Sequence, residues 1–215
     1  MNAAGERYAL GWREHSWMAW EIAFDADEVL ESAAEVFSIK GYEATSISDL
    51  VKGMGINKGS IYNTFGGKRD LFHAVLAKFV GDQQADALKR LMVLEDPIAA
   101  LMMPFDVVMS HTAMGQQAKG GLIITVAMDF PNHEDVAQQL VMKSFGGLQK
   151  FFATKIAEGQ RSGAIAPDLD ADAAAKSLTA LMVGFRVLSR GAFDTDALKA
   201  VQSSALRLVG VSVPA

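Results

Sequence analysis

TSISDLVKGMGINKGSIYNTFGGKRDLF, residues 45–72, reads as two short helices joined by a glycine turn, with a third helix following at once. Ser46 and Asp49 stand three apart, the spacing at which each side chain caps the other's backbone amide and starts a helix. Ile47, Leu50, Val51 and Met54 then recur at helical spacing and give that helix one apolar stripe. Gly55 follows the last of them, where a helix ends in a left-handed residue that glycine adopts without steric cost. Asn57 is placed to cap the next helix, with Lys58, Gly59 and Ser60 in its first turn. There Ile61 and Phe65 are four apart and pack inward, leaving Lys58, Ser60, Tyr62, Asn63 and Thr64 on the other faces. Gly66 and Gly67 stop this helix short, and Lys68 and Arg69 open a longer one whose apolar face is Phe72, Val75, Leu76 and Phe79. A short capped helix with a free polar side, braced by its neighbours, is the form in which proteins present a helix to the DNA major groove.

Upstream, Asp25 to Lys40 carries Leu30, Ala33, Ala34 and Phe37 at the same period and closes with Gly41. Three helices therefore share one small core, the middle pair forming the helix-turn-helix. Charge is unusual for a DNA binder: the chain carries a formal −5. Residues 24–81 hold six basic groups (Lys40, Lys52, Lys58, Lys68, Arg69, Lys78) against eight acidic ones (Asp25, Asp27, Glu28, Glu31, Glu35, Glu43, Asp49, Asp70). Between Lys40 and Arg69 the balance reverses, so any attraction for phosphate is local to the motif.

The run ESAAEVFSIKGYEATSISDLVKGMGINKGSIYNTFGGKRDLFHAVL, with its GY, TS, GINKGSIY and F-x-x-K-x-x-L blocks in order, resembles the DNA-binding domain of the TetR/AcrR family of bacterial transcriptional regulators. Weaker likeness continues in GGLI at 120–123, IAEGQRSG at 156–163 and a final pair of apolar helices. The resemblance implies an extension over 1–23, a helix-turn-helix domain over 24–70, and a larger helical ligand-binding and dimerisation domain over 71–215. It also implies roles: Lys58, Tyr62 and Lys68 toward phosphates, and Gly59, Ser60, Asn63 and Thr64 toward base edges. Ser46 and Ser48 of the preceding helix complete the expected DNA-facing set. Ser48 stands where many relatives have arginine, so a guanine contact from there is not expected. The lesser alternative for Tyr62 is packing against its own domain. Family members often carry a basic arm ahead of the first helix; here MAWEIA, residues 18–23, has no basic residue, and Trp12, Trp17 and Trp20 lie in this extension instead.

Composition fits an all-α fold. Of 215 residues, 50% are hydrophobic and only 5 are proline, enough for one helical body plus a small module. No window of about 18 apolar residues and no basic, apolar leader is present, so a cytoplasmic protein without a membrane span is expected. The absence of cysteine excludes disulfides and thiolate metal sites.

Asp96 to His111 carries Ile98, Leu101, Met102, Phe105, Val108 and Met109, and seven of the 11 methionines fall between 92 and 142. Such a cluster suits a cavity for varied apolar ligands, and equally suits ordinary core filling. Met102, Phe105, Met109, His111, Met128 and Phe145 are the candidate ligand contacts. The segment from His133 to Arg161 forms a long amphipathic helix ended by Gly163, and Asp170 caps another. In the last two helices Leu178, Leu181, Phe185, Leu198, Val201, Ala205 and Leu208 form the stripe expected at a two-fold four-helix interface, or else cover their own subunit's core.

Other signals fail. Gly53, Gly55 and Gly59 have the wrong spacing for a dinucleotide loop and no preceding strand. Asp168, Asp170 and Asp172 lack the glycine and glutamate of a calcium loop, and His15, His73, His111 and His133 are scattered with no nucleophile beside them. No catalytic set, metal site or cofactor is expected. The expected function is a homodimeric, ligand-responsive regulator that holds double-stranded operator DNA, repressor by default, and is released by a small, largely apolar effector. A ligand-binding protein of the same fold with weak or lost DNA binding is the alternative, motivated by the acidic first helix and the missing basic arm.

Overall fold

The computed structural model describes residues 25–114 and 121–211. Among these every regular element is helical, as the sequence leads one to expect. The tryptophan-bearing extension lies outside the described residues.

Helix α1 (Ala26–Ala44) starts at Asp25, whose side chain accepts from the Asp27 amide at 2.8 Å, and buries Val29, Ala33 and Phe37. Gly41 breaks its last turn with a φ of 75°, so the regular part closes where the glycine stands. Helix α2 (Ile47–Met54) opens on a full capping box: Ser46 Oγ accepts from the Asp49 amide, and Asp49 Oδ2 accepts from the Ser46 amide. Gly55 ends it in the left-handed region at φ 68°. Helix α3 (Lys58–Phe65) is capped by Asn57 Oδ1, which accepts from the Ser60 amide at 2.8 Å, and α4 (Lys68–Lys78) follows directly. Leu50, Ile61, Phe65, Leu71, Phe72 and Leu76 join Phe37 in one core. Burying Ile61 and Phe65 contributes about 1.5–3 kcal/mol each and fixes which side of α3 faces outward.

Gly53, which formed no recognisable motif, is where α2 passes against α1. A Cβ there would overlap Val36 Cγ2. Gly53→Ala is therefore expected to cost about 1–3 kcal/mol, measured by urea unfolding, and Val36→Ala in the same chain to restore most of it.

Helix α4 does not stop at Lys78. It continues through a π-helical turn (Phe79–Gln84) into α5 (Ala85–Met92), one rod from the helix-turn-helix core into the body. The body comprises α6 (Pro97–Ala113), α7 (Gly121–Met128), α8 (Asp135–Ser162), α9 (Ala171–Leu188) and α10 (Thr195–Leu208). Phe105, Phe152, Ile156, Leu178, Phe185 and Leu198 lie in a second core, separate from the first. Asp96, Asp170 and Asp194 cap α6, α9 and α10, and Gly163 ends α8 at φ 79°. Lys155, on the inward side of α8, is 1% exposed. Its ammonium donates to the carbonyls of Met92 and Leu94 at 2.7 and 2.9 Å and to Glu158 at 2.7 Å, closing the C-terminal end of α5.

The two parts share the first core, which Leu122, Ile123 and Val126 of α7 and Ala137 and Val141 of α8 enter, and polar and aromatic contacts fringe it. His133 stacks on Phe72 and meets Tyr42 edge-on, while within the first part Lys78 of α4 reaches Asp27 of α1 at 2.7 Å. Arg190, just beyond α9, donates to Thr125 Oγ1 at 3.2 Å and to the Ser38 carbonyl at 3.1 Å, tying α1 to α7. His73 is buried, 4.0 Å from Glu134. Burial pushes its pKa below the usual 6.5, although the Glu134 carboxylate opposes the shift. An imidazole whose folded pKa is depressed binds fewer protons in the native state, so stability falls as pH drops through the unfolded value. Wild-type protein is expected to melt lower at about pH 5.5 than at about pH 7.5, and His73→Gln to narrow that difference, as read by thermal denaturation at both pH values.

Candidate nucleic-acid interface and internal cavity

The outer side of α3 is built by what holds its inner side. Asn57 and Gly66 fix both ends, Ile61 and Phe65 anchor it, and Lys58, Gly59, Tyr62 and Asn63 remain exposed while Ser60 and Thr64 are half-buried. Tyr62 is 46% exposed, with Lys58 Nζ 5.9 Å from its ring centroid. Among the described residues neither the Tyr62 hydroxyl nor the Asn63 amide makes a hydrogen bond, so both are available to a ligand on that face. Ser46 and Ser48 are exposed on α2, but Ser46 is occupied by its capping box with Asp49. Lys40 also pairs with Asp49; together with the bonds from Ser46 this holds that carboxyl far below the usual carboxylate range, so it stays ionised. Lys68 is turned toward the protein: its ammonium donates to the Tyr42 carbonyl at 2.9 Å and lies 4.3 Å from the Tyr42 ring centroid. Lys52 and Lys58 are exposed near the helix, as is Arg69, which pairs with Asp70 at 3.2 Å.

Two cavities of about 490 and 540 Å³ lie beside the π-helical turn. Phe79, Gln83, His111, Ile124 and Arg186 line both. The outer one reaches α1 at Leu30, Ala34 and Ser38 and includes Arg190; the inner one runs among Leu88, Ile123, Phe145, Leu148 and Met182. Of the six side chains expected to contact a ligand, His111 and Phe145 line a cavity. Met102 and Phe105 are spent in the second core and Met109 packs on its edge, while Met128 is 72% exposed. Most of the methionines thus mark core and surface in this chain, and among them Met182 lines a cavity. Sequence reasoning missed Arg186, although a lone arginine inside the apolar run LMVGFRVL was a visible signal. It also missed Gln83, Gln84 and Pro104, the last a proline inside α6 that lines the inner cavity.

The final helices divide similarly. Leu178, Phe185, Leu198 and Ala205 are fully covered by the protomer's own second core, whereas Leu181, Val201 and Leu208 are only partly buried. Ser177, Ala180 and Ser204 are exposed along the same two helices.

Residues 29–75 match the family described as bacterial regulatory proteins, tetR family, and residues 97–205 match the tetracyclin repressor-like C-terminal domain. The chain belongs to the TetR family. It is 27% identical over 177 residues to the uncharacterized HTH-type transcriptional regulator YezE of Bacillus subtilis, covering 82% of this chain and 91% of YezE. Similarity to the HTH-type transcriptional repressor ComR of Escherichia coli is 26% over 188 residues, covering 86% of this chain and 89% of ComR. Among solved structures, the TetR family regulator CifR, crystallised as a mutant with 26-base-pair operator DNA, superposes with a TM-score of 0.72 at 25% identity, covering 86% of this chain and 97% of CifR. TetR family membership makes the protein a transcriptional regulator with a helix-turn-helix domain, within which α2 and α3 lie. No helix among the described residues is long and apolar enough to cross a membrane.

Proposed function

We propose that the protein is a homodimeric repressor that holds operator DNA through two copies of α3 and releases it when a small molecule enters the space beside the π-helical turn. The observation that carries this reading is the rod: the helix that braces α3 in the first core runs on, through Phe79, Gln83 and Gln84, into the wall of the cavities. A ligand that favours one setting of that wall biases the position of α3. A differential affinity of about 3 kcal/mol between the two settings changes operator affinity about 150-fold.

Phosphate contacts are assigned to Lys58 and Tyr62, and base-edge contacts to Gly59, Ser60, Asn63 and Thr64. Ser48, exposed on α2, is assigned to the DNA-facing set with them. Lys68, with its ammonium held at Tyr42, acts by fixing the start of α4. One recognition helix reads only a half-site, and two half-sites one DNA turn apart call for a second subunit. Leu181, Val201 and Leu208, flanked by Ala180 and Ser204, are the side chains left for that contact.

The test is titration of purified protein into labelled DNA from upstream of its own coding sequence, with mobility shift or fluorescence anisotropy as readout. Saturable binding at low salt, abolished by unlabelled competitor of the same sequence, is the expected result. Absence of any shift at low salt would mean that the fold has kept its cavity and lost its operator.

A further inference from the structure

The inner cavity is apolar along most of its wall, yet it carries Arg90 and Arg186 and, among its described lining residues, no carboxylate. Arg186 follows the buried Phe185 of α9, one turn beyond the buried Met182, and is shared with the outer cavity. It is already engaged within the protein, but a guanidinium has five N–H donors in a planar fork, so one engagement leaves others for a ligand. Burial pushes its pKa below the usual value, the sign of a charge placed where water solvates it poorly. A second polar group points the same way. Gln84 donates through Nε2 to the Ser144 carbonyl at 3.0 Å, while its Oε1 is buried with no hydrogen-bond partner. Both residues line the inner cavity. A buried acceptor is normally satisfied, so a donor belongs opposite it.

We infer that the inner cavity takes an organic acid: its apolar body among Leu88, Ile123 and Phe145, its anionic head on the Arg186 fork, and a hydroxyl or N–H substituent, where it has one, donating to Gln84 Oε1. This assignment rests on the cavity being the effector site proposed above. It narrows the largely apolar effector expected from the sequence to an amphipathic anion. A cationic ligand is disfavoured by the two arginines, and a purely apolar one would leave Arg186 and Gln84 Oε1 facing hydrocarbon. At about 540 Å³ the cavity is of the size that encloses a drug-sized molecule.

The test uses the full chain without DNA, titrated calorimetrically with decanoate, phenylbutyrate and beta-hydroxydecanoate, each paired with its own amide. The acids are expected to bind at least about tenfold more tightly than the amides, as charge-assisted bidentate contacts do. Arg186→Gln should erase that gap and Arg186→Lys keep part of it. Gln84→Leu should remove the advantage of the hydroxy acid over decanoate and leave decanoate itself unchanged. Amides binding as well as acids, no binding by any of the acids, or a gap that survives Arg186→Gln would each overturn the inference. The wild-type comparison decides the matter even if an Arg186 variant fails to fold. Operator release is measured separately by anisotropy: acids that bind through Arg186 without releasing DNA leave the acid site standing and end the proposed switch. A neutral apolar molecule that releases DNA, where the acids do not bind, does the reverse.

Discussion

Lys58→Ala is expected to weaken operator binding by about 100-fold and to flatten its dependence on salt. A dimer loses two phosphate contacts at once, each worth about 1–1.5 kcal/mol at moderate ionic strength, and each lost cation lowers the magnitude of the slope of log affinity against log salt by about 0.9. With roughly three phosphates neutralised per subunit, since Lys68 is held at Tyr42, the wild-type slope is about −5, and the variant should give about −4. Tyr62→Ala supplies the contrast. The residue is neutral and 46% exposed, so its loss should lower affinity by a similar factor and leave the slope within about 0.5 of wild type. Anisotropy titrations at four salt concentrations separate the two cases. A Lys58→Ala slope equal to wild type would show that this ammonium does not lie on a phosphate.

Lys155→Ala should be the most damaging single change in the body. Three acceptors converge on the Nζ: two backbone carbonyls at the end of α5 and the Glu158 carboxylate. Removing the ammonium leaves them facing one another with no donor, in a place where the lysine is 1% exposed. Breaking a buried charged network of this kind costs about 3–5 kcal/mol, which for a chain of this size lowers the melting temperature by about 10 °C. Lys155→Met, which keeps most of the volume, should recover part of the packing and little of the loss, while Glu158→Gln should cost much less because the carbonyls keep their donor. A melting temperature for Lys155→Ala within about 2 °C of wild type would mean that water replaces the ammonium at no cost.

The helix-turn-helix was legible because every signal that builds it is local. Ser46 with Asp49, Gly55, Asn57 and Gly66 each act within four residues of their own position, and each stands in the structure as its side chain demands. The inward pair Ile61 and Phe65 followed from spacing alone. The cavity was not legible in this way, since its walls come from α1, α4, the π-helical turn, α5, α6, α7, α8 and α9. No periodicity reveals which of many apolar residues border a space and which fill one. Met102 and Phe105 fill, whereas Phe145 borders. The same limit applied to the last two helices. The stripe Leu178, Phe185, Leu198 was read correctly as apolar, but a stripe does not say whether it meets its own core or another subunit, and here it meets its own. Single polar residues within apolar stretches carried the information that averaging over a helix face discards: Lys155 in α8 and Arg186 in α9 are the clearest cases.

The π-helical turn leaves a lasting mark on the rod's geometry. Leu91 lies 12 positions beyond Phe79, about one more than three ordinary α-turns would need to return to the same side. Both nevertheless line the inner cavity. The wide turn absorbs that surplus residue, so the side chains above and below it stay aligned although their numbering is out of phase. A chain shortened by one residue between Phe79 and Gln84 would keep both apolar edges aligned, with an unbroken α ladder. The surplus residue is therefore slack held in the rod at the level of the cavity, and moving it along the rod by a turn would re-aim the side chains it passes without melting the helix.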